Sequence, residues 1–379
     1  MLTQFVSFPV LGGQSNLTII HWIKDFIENQ GIETTLVPNE EGNKASLHCR
    51  IGPAVDGGVI LSGHTDVVPV EGQDWATDPW TLTDGGDGKL YARGSCDMKG
   101  FIACCLAVLP QMIAANLEKP LYFAFSYDEE VGCLAAPDLV KHIGAHYAET
   151  PKYAIIGEPS LMQPIVGQKG ICVFETFING SAGHSSRVKQ EVSAVHEAAR
   201  LTVWLEDKMN QLIADGRTDE RFHPPHSSLH VGIAKGGIAF NIIAEDAYLK
   251  WDMRTIPSDD PHQILAEFEA FCRDREAEMR PRFADYKIHT TWYHPPVPAL
   301  DTKNDASVVD LVIRLTGNKE FDTVSFAAEA GQFAQGGYET IICGPGSIAQ
   351  AHRANEFISK EQLVKGVEML ERLVDEFSF

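Results

Sequence analysis

Apolar side chains recur at helical spacing from Asn16 to Gln30 and stop at Gly31, a residue that closes helices because it accepts a left-handed backbone. This stretch predicts an amphipathic helix lying on a sheet. Ser46 to Ile51 and Gly58 to Val68 read as strands. The second opens with Val59-Ile60-Leu61, an unbroken apolar run of the kind that fills a strand covered on both faces. Met98 to Asn116, rich in Ala, Leu and Ile, predicts a helix, and Leu121 to Ser126 and Tyr153 to Ile156 predict two more strands. Strand and helix alternate here, the pattern of an α/β layer, and ligands of such sheets gather beyond the carboxyl ends of the strands.

Past residue 171 the rhythm changes. Ile171 to Asn179 alternates apolar and polar, Val192 to Ala214 has a long helical period, and Ser228 to Ala234 and Ala247 to Arg254 alternate again. Pro261 to Met279 reads as a helix and Tyr286 to Trp292 as a strand. The order βαββαβ is the ferredoxin-like α+β pattern. It predicts a domain over 171–292 inserted into one made of 1–170 and 293–379. Gly167-Gln-Lys-Gly170 and the proline-rich Tyr293 to Pro298 have the composition of the connecting segments. The first pattern then resumes with a helix from Ala306, a strand at Thr340 to Cys343, the loop Gly344 to Ser347 and a closing helix from Lys360.

Length agrees with two domains, since 379 residues exceed the usual size of one core. A formal charge of −21, from 52 acidic against 31 basic residues, argues against nucleic acid as a partner. No apolar run approaches the roughly 20 residues that cross a bilayer, and no basic segment followed by an apolar one stands at the N-terminus; a cytoplasmic protein without membrane contact is the expectation. Eight cysteines without a Cys-x-x-Cys pair predict reduced, buried thiols.

Charged residues cluster where apolar strands end, in places that charge does not occupy without a partner or a metal. His64 and Asp66 follow Val59-Ile60-Leu61 at an i, i+2 spacing that points both to one face of an extended chain. His64 is then a metal ligand, and Asp66 the carboxylate that accepts its other ring N–H. Asp97, between this pair and Asp128-Glu129-Glu130, is the candidate bridge, because one carboxylate can hold two cations roughly 3.5–4 Å apart. With extended backbone at Glu129-Glu130, the two side chains point apart, one to metal and one to the attacking water. Glu158 follows the strand at Tyr153, and His352 follows the loop after Cys343.

Ser62-Gly-His-Thr-Asp-Val-Val-Pro69, Gly94-Ser-Cys-Asp-Met-Lys-Gly100, Asp128-Glu-Glu130, Gly157-Glu-Pro-Ser160 and Gly183-His-Ser185 resemble, in order and spacing, the acetylornithine deacetylase, succinyl-diaminopimelate desuccinylase and carboxypeptidase G2 family of dinuclear zinc amidohydrolases. The resemblance spans essentially the whole chain. It implies a zinc-peptidase-like catalytic domain, with a mixed sheet flanked by helices, beside an inserted lid or dimerisation domain. It further implies two divalent cations, zinc with cobalt as the alternative. One would be held by His64, Asp97 and Glu158, the other by Asp97, Glu130 and His352. Glu129 would be the general base and then the acid that protonates the leaving amine. His184 matches a histidine that reaches across a homodimer to the oxyanion. Asn241 and Arg254 match positions that contact substrate, Arg254 being suited to a carboxylate.

Within the family, Val324-Ser-Phe-Ala-Ala-Glu-Ala330 and Cys343-Gly-Pro-Gly-Ser-Ile348 resemble acetylornithine deacetylases, although Ala328 stands where those enzymes usually carry threonine. N2-acetyl-L-ornithine, cleaved to L-ornithine and acetate in arginine biosynthesis, is the expected substrate. Glu329 is expected to face its side-chain ammonium, and the backbone N–H groups of Gly344 and Gly346 a carboxylate. Other acyl-amino-acid deacylases, desuccinylases, dipeptidases and carboxypeptidases of the family keep the same chemistry. A non-catalytic binding or assembly module would have lost the base or a ligand, and this chain retains each position.

Overall fold

The structure, a computed structural model, describes residues 1–379. Its contacts divide it into two units, the first made of Met1–Gln168, Leu300–Thr323 and Ala328–Phe379, the second of Lys169–Ala299 and Val324–Ala327.

The first unit is built on a mixed sheet flanked by helices. Its central strands Leu121–Ser126, Val59–His64, Tyr153–Pro159 and Glu339–Gly344 are neighbours in that order and run parallel. Ala45–Ile51 and then Thr34–Pro38 extend one side antiparallel, and Ile165–Gln168 and Leu300–Asp301 extend the other. The apolar runs explain the parallel centre. Every residue of Val59–His64 and of Leu121–Ser126 is buried, and each Val, Ile, Leu or Phe so covered contributes about 1.5–3 kcal/mol. Parallel strands also bring all four carboxyl ends to one edge of the sheet, which is where the charged residues lie.

Helices Leu17–Glu28, Lys99–Ala114, Ser307–Thr316 and Lys360–Glu376 join the core of this unit. Lys360–Glu376 is started by Ser359, whose hydroxyl accepts from Gln362 N, a cap worth about 1 kcal/mol. The helix Ala136–His146, with only Ala136, Leu139, Val140 and Ile143 buried, was not expected from the sequence. A small antiparallel sheet pairs Phe357–Ser359 with Lys89–Tyr91, setting residues 92–97 beside Glu356.

The second unit has an antiparallel sheet in the order Ser228–Gly236, Asp246–Thr255, Gly170–Asn179, Lys287–Trp292. Helices Ala194–Ala214 and Pro261–Met279 supply the rest of its core, in which Trp251 stacks on Phe174 and packs against Phe268. Burial alternates along Gly170–Asn179 and Asp246–Thr255, as period-2 strands with one covered face require. Ser193 and Asp260 cap the two helices, accepting from His196 N and His262 N.

Candidate metal centre

His64 ends the strand Val59–His64 and is buried. Its Nε2 lies 3.1 Å from Asp97 Oδ1 and 3.8 Å from Glu158 Oε1. On the other side of Asp97, His352 Nε2 lies 3.5 Å from Oδ2 and 3.0 Å from Glu130 Oε2. The two oxygens of Asp97 therefore face two different histidines, each with a second acid. Donor atoms of His64, Asp97 and Glu130 fall within 4.8 Å of one another, as do those of His64, Glu129 and Glu158. The structure thus brings together His64, Asp97, Glu129, Glu130, Glu158 and His352, from five separate stretches of the first unit.

Electrostatics show the cost of this gathering. Burial, aided by the neighbouring acids Glu158, Glu130 and Asp97, pushes the Glu129 carboxyl well above its usual range. Burial and then Asp97 push Glu158 and Glu130 up as well. For Asp97 burial is outweighed by hydrogen bonds from His352 and His64, which hold it below the ordinary carboxylate range. The bonds to Asp97 and Glu130 raise His352 to about 10. Against desolvation, the bond to Asp97 and the charges around it likewise raise His64. Four carboxyls facing two imidazoles leave negative charge uncompensated in a buried place. Oxygen and imidazole donors suit divalent metals, and a metal would displace the protons that the histidines carry. The donor set fits two divalent cations.

Asp66 does not act as expected. His64 Nδ1 is 2.9 Å from the Asp66 backbone carbonyl and 3.7 Å from its carboxylate. The strand ends at His64, so the chain no longer alternates and the carbonyl turns back onto the ring. The carboxylate instead accepts from the backbone N–H groups of Glu129 and Glu130, 3.2 Å each, fixing the turn that carries both acids. That turn replaces the extended backbone expected at Glu129-Glu130: Asp128 is left-handed, with φ 57°. Its carboxylate accepts from Gly13 N at 2.8 Å and pairs with Lys44, which offsets a conformation that L residues seldom adopt. Gly12 packs behind the same turn, where a Cβ would come within 2.9 Å of Val131 and 3.3 Å of Glu130.

Glu356 and Arg93, to which the sequence reading gave no role, support Asp97 from behind. Glu356 accepts from Gly94 N at 3.0 Å, Cys96 N at 2.8 Å, Asp97 N at 3.0 Å and Arg93 Nη1 at 2.8 Å. Both side chains of this ion pair are 1% exposed. The available signal was a charge at each place beside apolar neighbours, Tyr91-Ala92 and Phe357-Ile358. All eight cysteines are free and buried. Cys96 donates to the Ser347 carbonyl, and burial pushes its thiol far up, so it is no thiolate ligand.

Three expected substrate contacts in this unit need correction. Gly344 N donates to Ser160 Oγ at 3.2 Å and Gly346 N to Gln362 Oε1 at 3.0 Å, so neither N–H faces a ligand. Gly344 is glycine because a Cβ would lie 2.1 Å from the Gly157 carbonyl, where the two strands close. Glu329 is 1% exposed, so a substrate ammonium does not reach it in this arrangement. Its carboxyl belongs to the floor beneath the centre, where burial raises it to about 7 and the Ser126 and Ser62 hydroxyls lie close. Ser62 Oγ, Ser126 Oγ and Glu329 Oε1 all lack a well-formed partner.

In the second unit, Gly183–His184 pairs with Ile242–Ile243, and Ser185 N donates to the Asn241 carbonyl at 3.1 Å, so His184 and Asn241 are neighbours. His184 is exposed, and its Nδ1 accepts from Ser186 N, placing the proton of a neutral ring on Nε2. Arg254 lies on Asp246–Thr255 with its Nε 3.5 Å from Asp252.

The sequence pattern of Peptidase family M20/M25/M40 matches residues 60–376. The chain belongs to that family. It is a hydrolase, as the family is. An acetylornithine deacetylase of Pasteurella multocida is 33% identical, over 96% of this chain and 92% of its own. Among solved structures, the M20 metallo-carboxypeptidase of Sulfolobus solfataricus superposes with a TM-score of 0.76 at 16% identity, covering 99% of this chain and 98% of that one. A dinuclear metal binding peptidase of Bacillus subtilis gives 0.63 at 14%, covering 100% and 96%. Family membership and fold thus stand together with a donor set for two cations, which supports metal-dependent amide hydrolysis.

Proposed function

We propose that the protein hydrolyses the N-acyl amide of an amino acid, with N2-acetyl-L-ornithine as substrate and L-ornithine and acetate as products. The observation that carries the reading is Asp97, set between His64 with Glu158 and His352 with Glu130. We assign these five residues to two zinc ions. Bound there, the cations would polarise the amide carbonyl and acidify water.

Glu129 is the base in this proposal. Its carboxyl, raised by burial, takes a proton from the attacking water and returns it to the amine nitrogen as the C–N bond breaks. Asp66 acts at one remove: its bonds to the N–H groups of Glu129 and Glu130 hold the base in register with the ligand beside it. A homodimer through the second unit belongs to the proposal, with the Nε2–H of His184 donated to the developing oxyanion. Asn241 and Arg254 are assigned to the substrate, the guanidinium to its carboxylate.

The deacetylase name of the relatives at 31–33% identity supports ornithine as the leaving amine. With Glu329 buried, no acid is assigned to its ammonium. A panel of N-acetylornithine, N-acetylmethionine and N-succinyl-diaminopimelate, with metal content measured on the same sample, tests the reading. N-acetylornithine is expected to give the highest kcat/KM at two metals per chain. Equal rates would overturn the substrate, and hydrolysis without bound metal would overturn the centre.

A further inference from the structure

A second set of metal-competent side chains lies on the same sheet, away from the acids. His48 is on the strand Ala45–Ile51 and is fully buried; His142 and His146 lie one turn apart on Ala136–His146. One nitrogen from each of the three falls within 4.8 Å of the others. His48 Nε2 is 2.9 Å from His142 Nδ1, and the His48 ring centre is 5.0 Å from each of the other two rings. The i, i+4 spacing puts both helix imidazoles on one face, a signal that the sequence carried.

We propose that His48, His142 and His146 form a binding site for a further divalent cation of the zinc type, tying the helix Ala136–His146 to the strand Ala45–Ile51. The inference does not rest on the proposed hydrolase activity. Three imidazoles without a carboxylate select borderline transition ions over magnesium or calcium, which want oxygen. Zinc–nitrogen bonds of about 2.0–2.1 Å in a tetrahedron separate ligand atoms by about 3.3 Å. The 2.9 Å pair therefore opens by a few tenths of an ångström. His146 is exposed and His142 half-buried, so the fourth position opens to water.

The buried member is prepared for this role. His48 Nδ1 lies 2.8 Å from Tyr147 Oη. With the ring proton on Nδ1 and donated to that oxygen, the Nε2 lone pair faces the other two rings, as second-sphere partners arrange in metal sites. Burial and then the two neighbouring histidines keep His48 uncharged, with its pKa down at about 3, and a neutral imidazole is the form that binds metal.

The test counts zinc on the full chain after stripping and reloading, using the double variant His142→Asn with His146→Asn, and separately Asp97→Ala. The double variant is expected to carry one equivalent fewer than the unchanged chain and to keep its hydrolysis rate. Asp97→Ala is expected to lose the other ions, keep that one, and rise in Tm when zinc is added. Tyr147→Phe is expected to weaken the site about 10–100-fold. An unchanged zinc count in the double variant would overturn the proposal. An unchanged count in Asp97→Ala would instead overturn the acid centre, so the two failures are distinguishable.

Discussion

The acids around Asp97 and the imidazoles around His48 hang on one sheet, yet burial acts on them in opposite directions. Removing carboxyls from water pushes Glu129, Glu130 and Glu158 up toward neutrality, and only Asp97, bonded to two histidines, stays low. The same removal simply discharges His48. A neutral imidazole with two hydrogen-bonding neighbours costs the fold little. A knot of acids costs it heavily until positive charge arrives. The first cluster therefore demands its cations, whereas the second only accommodates one.

The largest test of this contrast is Glu129→Gln, which removes one charge and the base together. Turnover is expected to fall about 10²–10⁴-fold with metal content unchanged; a rate within tenfold of the parent would remove Glu129 from the chemistry. Next comes Glu356→Ala, which strips the acceptor from three backbone N–H groups and leaves the buried Arg93 without its ion-pair partner, held only by neutral acceptors such as Gln73. Breaking such a pair costs about 3–5 kcal/mol, readable in urea denaturation, and metal affinity is expected to fall with it. A loss no larger than that of a surface substitution would show Asp97 to be held by other means.

The two smaller tests use pH on metal-free protein. Glu329 has a folded pKa of about 7 against an ordinary 4.5. The fold favours its neutral form, so this contribution is complete below pH 4.5 and is lost as pH rises through 7. Glu329→Gln is expected to flatten the decline of Tm across that window, and identical slopes would count against a buried neutral acid. His48 is opposite in sign, with a folded pKa of about 3 against 6.5. Its contribution is present above pH 6.5 and is lost as pH falls toward 3. His48→Gln is expected to give a shallower acid-side loss of Tm, and an unchanged slope would mean that His48 is solvated.

Much of this was legible in the chain. The parallel centre follows from runs such as Val59-Ile60-Leu61, and the acids were visible because charge follows directly on buried strand. In the second unit, Val192 to Ala214 was expected helical and Ala194–Ala214 is, since a 3.6-residue period sustained over 21 residues has no competing reading. The partners of those residues were not legible. Asp66 was read by strand alternation, and the strand stops two residues before it. The turn at Glu129 depends on left-handed Asp128, held by Gly13 and Lys44 far upstream. The N–H groups of Gly344 and Gly346 are taken by Ser160 and Gln362, whose approach no local pattern announces. The three imidazoles escaped because His48 and His142 are 94 positions apart.

Glu356 grips the peptide groups around Asp97 from some 260 residues downstream. A ribosome therefore releases this support of Asp97 only after every one of the proposed metal ligands has been made, His352 included. Until then the peptide groups around Asp97 lack their acceptor, so a shortened product cut before residue 356 would be a poor scavenger of zinc rather than a half-working enzyme.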